Sequence, residues 1–270
     1  MGPHRPVARD LTSVSAPSPA PAPPDDRPPR WGLGEVALAA LASMAISLVL
    51  GGFILAAAGV EDSEDASLVV VALLQATLWV GMLGSILLLV RGRGGDLRSE
   101  LGIRFRPLDA VVGLALGVAC QLVLVPLVSA PWIRLLGEDG DQLREPACRL
   151  ADKADDPVGV ALLVLITVIG APIVEELFFR GFVQRAAVAR LGRGPGLAVT
   201  AVAFGLVHFQ LLQLPALVAF GLVLGLLADR TGRLGPSILT HMAFNATTVL
   251  FLVALSSDAE CESVLGLVLR

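Results

Sequence analysis

Seven stretches of this chain, 36–60, 67–90, 110–130, 158–179, 196–212, 215–229 and 235–255, are apolar enough to lie in lipid. That rules out most of the folds open to a water-soluble polypeptide. A crossing helix needs about 20 mostly apolar residues at roughly 1.5 Å of rise each. Inside a bilayer every backbone polar group must be satisfied without water, so helices or closed barrels are the only solutions. Runs of this length are helices, and the expected fold is an all-α, polytopic transmembrane bundle of about seven spans. The fifth and sixth runs are short and are joined by a tight turn from Gln210 to Pro215. Composition agrees: 55% of residues are hydrophobic, 16% are charged and the mean hydropathy is +0.77.

The connecting segments divide by charge. Arg5, Arg9, Arg27 and Arg30 precede the first run, and an acidic turn (Glu61, Asp62, Glu64, Asp65) follows it. Arg91, Arg93, Arg98, Arg104 and Arg106 come next, followed by a stretch over 137–157 rich in Asp and Glu. Arg185, Arg190 and Arg193, and later Arg230 and Arg233, return to the first side. Counting Lys and Arg by the positive-inside rule puts the N-terminus in the cytosol and the C-terminus outside, in a multi-pass plasma-membrane protein. The predicted organisation is a disordered, Pro-rich cytosolic tail over 1–30, N-terminal spans over 31–157, a polar-motif core over 158–255 and a tail over 256–270. The tail does not read as a signal peptide. No basic cluster suggests a nucleic-acid partner, so the expected surroundings are the lipid bilayer. Of the cysteines, Cys120 lies in an apolar run and reads as packing, whereas Cys148 and Cys261 fall on one side and could pair. Gly113-Leu-Ala-Leu-Gly117 and Gly221-Leu-Val-Leu-Gly225 read as close helix contacts.

Within the apolar runs stand three polar motifs: Glu175-Glu176-Leu-Phe-Phe-Arg180, Phe204-Gly-Leu-Val-His208 and His241-Met-Ala-Phe-Asn245. An ionisable group at membrane depth costs about 2.5–3.5 kcal/mol on insertion scales, which marks it as functional by default. Spacing brings the motifs to one height. If the fourth run continues as helix through Arg190 and turns at Leu191-Gly-Arg-Gly-Pro195, Glu175 and His208 lie about equally far, roughly 24 Å, from the turn. After a second turn at Thr231-Gly-Arg-Leu-Gly235 the chain returns His241 to that layer, about 10 Å beneath the cytosolic surface. Glu176 and Arg180 are i, i+4 and can pair, while Glu175, turned by about 100°, faces His208. Pro172 removes a donor and is expected to free the carbonyl of Val168 in a kink.

These residues suit amide hydrolysis. Glu175 can activate a water, His208 can hold it and move its proton, and His241 and Asn245 can donate to a developing oxyanion. Glu176 and Arg180 orient that set. The same Glu175, His208 and His241 also make a His-His-Glu zinc set with an open position, although no H-E-x-x-H motif is present. No G-x-S-x-G elbow accompanies Ser237 or Thr240, and no pair of intramembrane aspartates exists.

With E-E-x-x-x-R, F-x-x-x-H and H-x-x-x-N in order across 158–255, the chain resembles the CPBP family, which comprises CAAX prenyl proteases and bacteriocin-processing (Abi) proteins. The resemblance implies an intramembrane endopeptidase of the metallo or glutamic type, acting on a peptide or membrane-tethered protein. It gives Glu175 the part of base, His208 its partner and His241 and Asn245 the transition-state donors, with Glu176, Arg180 and Phe204 in support. Its cofactor is zinc or none. Two other readings remain: a non-catalytic immunity protein on the same fold, and a proton-coupled transporter using Glu and His as a relay. The enzyme reading expects substrate to arrive from the cytosolic side.

Overall fold

The computed structural model describes residues 28–61, 65–138 and 140–255. The Pro-rich stretch up to residue 27, the tail from 256 and Cys261 with its suggested pairing lie outside the described residues.

The described chain is a bundle of helices. They are α1 (Leu33–Ala58), α2 (Leu68–Gly92), the one-turn α3 (Leu97–Glu100), α4 (Pro107–Leu136), α5 (Gly140–Asp152), α6 (Pro157–Leu191), α7 (Arg193–Leu206), α8 (Leu214–Thr231) and α9 (Gly235–Leu255). Six of them, α1, α2, α4, α6, α8 and α9, are long and apolar enough to cross a membrane. Large apolar side chains such as Leu38, Leu48, Leu88, Leu114, Leu127 and Leu135 stand exposed on them, as expected where lipid rather than water is the solvent. The chain is an integral membrane protein. The remaining run, 196–212, forms the 14-residue α7 followed by a turn. At about 21 Å, α7 is shorter than a typical hydrocarbon core of about 30 Å. The acidic stretch read as a loop contains α5, an amphipathic helix.

The starts and turns follow local chemistry. Ser67 caps α2 by accepting from Val70 N, and Asp156 caps α6 by accepting from Gly159 N at 2.6 Å, with Pro157 at the first helical position. Gly192 (φ 84°) reverses the chain between α6 and α7, and Gly232 (φ 64°) does so between α8 and α9.

The main core sits at the arginine-rich end of the bundle. Trp31, Val90, Leu101, Phe178, Phe182, Phe220, Leu224 and Leu234 are buried in it together, and Trp31 donates to the carbonyl of Phe182 at 2.9 Å. An ion pair from Arg233 to the buried Asp109 fastens the α8–α9 turn to the start of α4. The glycine pair Gly113 and Gly117 brings α4 against α9: a Cβ on Gly117 would stand 2.5 Å from the carbonyl oxygen of Thr240. That contact fixes the level at which His241, one residue later, enters the bundle.

Two wide, π-type stretches interrupt α6, at Val164–Gly170 and Leu177–Val183. Such bulges frequently occur at functional sites. Glu175 and Glu176 lie on the tight segment between them.

Candidate active site

Glu176 is fully buried, and its pairing with Arg180 follows from the i, i+4 spacing. Arg180 Nη1 donates to Glu176 Oε1 at 2.8 Å, both side chains being 0% exposed. A buried pair gains from further bonds to its remaining polar atoms, and here these are made in part, since Glu176 Oε2 and Arg180 Nε have no partner among the described residues. Arg180 Nη2 donates to the carbonyl of Gly221 at 3.0 Å, and Gln184, one turn on, donates to that of Gly225 at 3.0 Å. The two glycines on α8 thus do more than pack helices closely. A Cβ on Gly225 would fall 2.7 Å from Gln184 Oε1, and one on Gly221 would fall 3.0 Å from the Phe204 ring. The guanidinium also lies over the Phe204 ring, 4.3 Å from its centre, a cation–π contact in a dry setting.

Glu176 Oε1 accepts a second hydrogen bond, from His241 Nδ1 at 3.0 Å. His208 Nδ1 donates to the carbonyl of Phe204 at 2.7 Å. Each imidazole therefore commits its Nδ1 proton to an oxygen and turns Nε2 inward. Both Nε2 atoms lie 4.0 Å from Glu175 Oε2, a buried oxygen with no hydrogen-bond partner among the described residues. Three helices meet at this point: α6 brings Glu175, the end of α7 brings His208 and α9 brings His241. The turn after α7 holds Phe209 at φ 53°, a left-handed conformation uncommon for a residue with a side chain.

Asn245 stands one turn beyond His241. Its Nδ2 donates to the carbonyl of Thr167 at 2.8 Å. The orphaned carbonyl is Thr167's, where the expectation from Pro172 was Val168's. The reason is the π-type winding: Ala171 N donates five residues back, to Ile166 O, so the donor that Pro172 lacks would have served Thr167. One Asn245 N–H is thereby used and the second is left over.

A cavity of about 310 Å³ adjoins these groups. Glu175, His208, His241 and Asn245 all line it, with Thr167 and Phe220, and so do Gln121 and Ser129 from α4. Its direction is clear from the residue numbers. On α6 it touches 163, 167 and 175 and nothing later, and on α9 nothing before 241. It runs from the Glu–His layer toward α5, where Ala147 and Leu150 line it, and away from the arginine-rich end. The arginine-rich end, expected to face the cytosol and to admit substrate, holds the packed aromatic core, with Phe178, Phe179 and Phe182 at most 3% exposed.

All the residues singled out from the sequence come together here: Glu175, His208, His241 and Asn245 around the cavity, and Glu176, Arg180 and Phe204 behind them. Gln184 was missed, although its place four residues after Arg180 on the same line was a usable signal. Thr167, Gln121 and Ser129 carried none. In donor type and orientation, Glu175, His208 and His241 suit zinc, since metal-bound histidines usually give their other N–H to an oxygen. Their spacing does not suit it. Bonds of about 2.0–2.1 Å in a tetrahedral shell put ligand atoms roughly 3.3 Å apart, not 4.0 Å, and no group of three such side chains among the described residues is placed to hold a metal ion.

Fold and site together define a polytopic helical membrane protein with a buried Glu–His cluster. Residues 157–247 match the family model described as type II CAAX prenyl endopeptidase Rce1-like, so over that stretch the chain is similar to that family. No curated protein and no solved structure matches the chain.

Proposed function

We propose that the chain is an intramembrane endopeptidase of the CAAX-protease-like type, hydrolysing a peptide bond with a water activated by Glu175. The observation that carries this reading is the convergence of two imidazole Nε2 atoms on one unpartnered carboxylate oxygen, 4.0 Å from each. A water molecule can bond atoms 4.0 Å apart at an ordinary hydrogen-bond length of about 2.8 Å to each. Residues 158–255 serve as the catalytic core, and the earlier spans frame it.

The proton count assigns the roles. Glu175 Oε2 and both Nε2 atoms, with the imidazoles neutral, are three acceptors, and a water has two hydrogens. A proton on one Nε2 completes the set and makes that imidazole a donor to the substrate carbonyl. Glu175 takes a proton from the water as its oxygen attacks the carbonyl carbon. The protonated imidazole and the spare Asn245 N–H hold the oxyanion, and the proton on Glu175 passes to the leaving amine as the C–N bond breaks. Glu176 keeps His241 turned and Arg180 balances its charge. Positive-inside counting supports a cytosolic N-terminus and places the α5 end of the cavity outside.

The test compares the purified protein with Glu175→Gln on a quenched peptide library in detergent. Cleavage by the parent and a loss of at least a hundredfold in the variant is the expected result. Equal cleavage by both removes Glu175 from the mechanism.

A further inference from the structure

The cavity carries two polar atoms that the hydrolytic scheme does not use. Gln121 Oε1 and Ser129 Oγ, both on α4, are buried and have no hydrogen-bond partner among the described residues. Both residues line the cavity that holds Glu175. Ser129 is 1% exposed. Ser43, Ser85, Thr200 and Thr247 each bond the carbonyl four residues back, whereas Ser129 Oγ, like Thr240 Oγ1, bonds nothing among the described residues. A buried hydroxyl or amide oxygen without a partner costs free energy that a ligand donor recovers. The rest of the α4 lining, Leu122, Val125 and Pro126, is apolar.

We propose that α4 is the specificity strip of the site: an extended, apolar peptide segment enters at the α5 end and donates backbone N–H groups to Gln121 and to Ser129. This rests on the endopeptidase reading and says how its substrate is held. Gln121 Oε1 is an acceptor, so it selects an N–H. The ladder is the edge-strand kind, in which backbone bonds bind and side chains fit apolar walls. Gln121 and Ser129 are eight residues apart on one helix, about 12 Å at 1.5 Å of rise. An extended chain covers about 3.3 Å per residue, so the two contacts fall three or four peptide residues apart. Gln121 is the nearer to Glu175, because α4 passes Thr240 and Ala243 at Gly117, one turn before it. Both contacts lie outside the stretch matched to the family, so they are features of this chain's own first half.

The test uses a fluorescein-labelled nine-residue Leu/Ala peptide, and a series of its analogues in which each amide N–H in turn is replaced by an ester oxygen. Binding is read by anisotropy on the detergent-solubilised Glu175→Gln protein, which holds the probe uncut. Two ester positions, three or four residues apart, are expected to weaken binding by about fivefold each, the worth of one buried hydrogen bond. The nearer one should cost nothing further in Gln121→Leu, and the other nothing further in Ser129→Ala. An ester series that binds uniformly to the Glu175→Gln protein overturns the proposal without any α4 variant having to fold. Cleavage of the probe by Glu175→Gln would instead count against the hydrolytic reading, and that readout is separate from the ester pattern.

Discussion

His241 Nδ1 and Glu176 Oε1 join α9 to α6 at 3.0 Å, through a carboxylate oxygen that Arg180 also holds. One buried oxygen therefore sets both the pairing of a cation and the direction of an imidazole. Glu176→Gln keeps the shape and removes the charge. Breaking a buried ion pair costs about 3–5 kcal/mol, so this variant should melt well below the parent in detergent. Glu175→Gln, which breaks no such pair, should melt like the parent and lose hydrolysis. Identical melting curves for the two variants would show that Glu176 and Arg180 are not a structural unit.

The close approach at Gly117 predicts a second effect. In Gly117→Ala the new methyl carbon would meet the Thr240 carbonyl oxygen, a backbone atom, at 2.5 Å, so α4 and α9 must part. Overpacking of this kind costs about 1–3 kcal/mol. A fall in melting temperature should come with a fall in kcat, because the shift displaces His241. Gly84→Ala, where a Cβ meets nothing within 4 Å, is the control and should change neither.

The hydrogen bonds from Arg180 and Gln184 to α8 make a third prediction. Gly225→Ala would put a methyl 2.7 Å from Gln184 Oε1 and push that side chain off its carbonyl. Losing one buried hydrogen bond should cost about 1–3 kcal/mol. Gln184→Leu removes the same bond from the other side, and a double-mutant cycle read by melting should give less than the sum.

Phe209 sits at φ 53° beside His208 and is 77% exposed, so its ring packs little while its backbone is strained. Strain of this type costs about 1–3 kcal/mol, and glycine is free of it. Phe209→Gly should melt no lower than the parent. Phe209→Ile, branched at Cβ, should melt lower and raise KM by loosening the turn that aims His208.

The spacing of Glu175, His208 and His241 predicts that a chelator leaves hydrolysis in place. Activity lost to chelation and restored by zinc would assign the water to a metal held by those three side chains.

Much of this site can be read before any fold is known. Near-equal spacing of Glu175 and His208 from Gly192 gives their common height, and helical phase separates Glu175 from the Glu176–Arg180 pair, because the π-type stretch at Leu177–Val183 alters rise and rotation too little over that distance to undo either. What fails is whatever depends on the local departures themselves. The orphan carbonyl falls on Thr167 instead of Val168 because α6 widens there. α7 ends early at Leu206 because the chain turns to present His208. The part played by Gln121 and Ser129 is invisible in sequence, since a Gln and a Ser in an apolar run look like tolerated polar residues until a cavity is found beside them. The direction of that cavity is equally hidden, because it comes from which end of the bundle the phenylalanines fill.

The widened turns in α6 also give it room to lose a residue. A π-type turn takes up one extra residue with little change in the phase of the helix on either side. Removing one residue from 164–170 would let the helix close into ordinary winding and leave Leu163 near its small cluster with Leu68. Removing one from 171–176, which already winds as ordinary helix, would instead swing everything upstream by about 100° relative to Arg180. Deletions in the first stretch should therefore be the milder of the two.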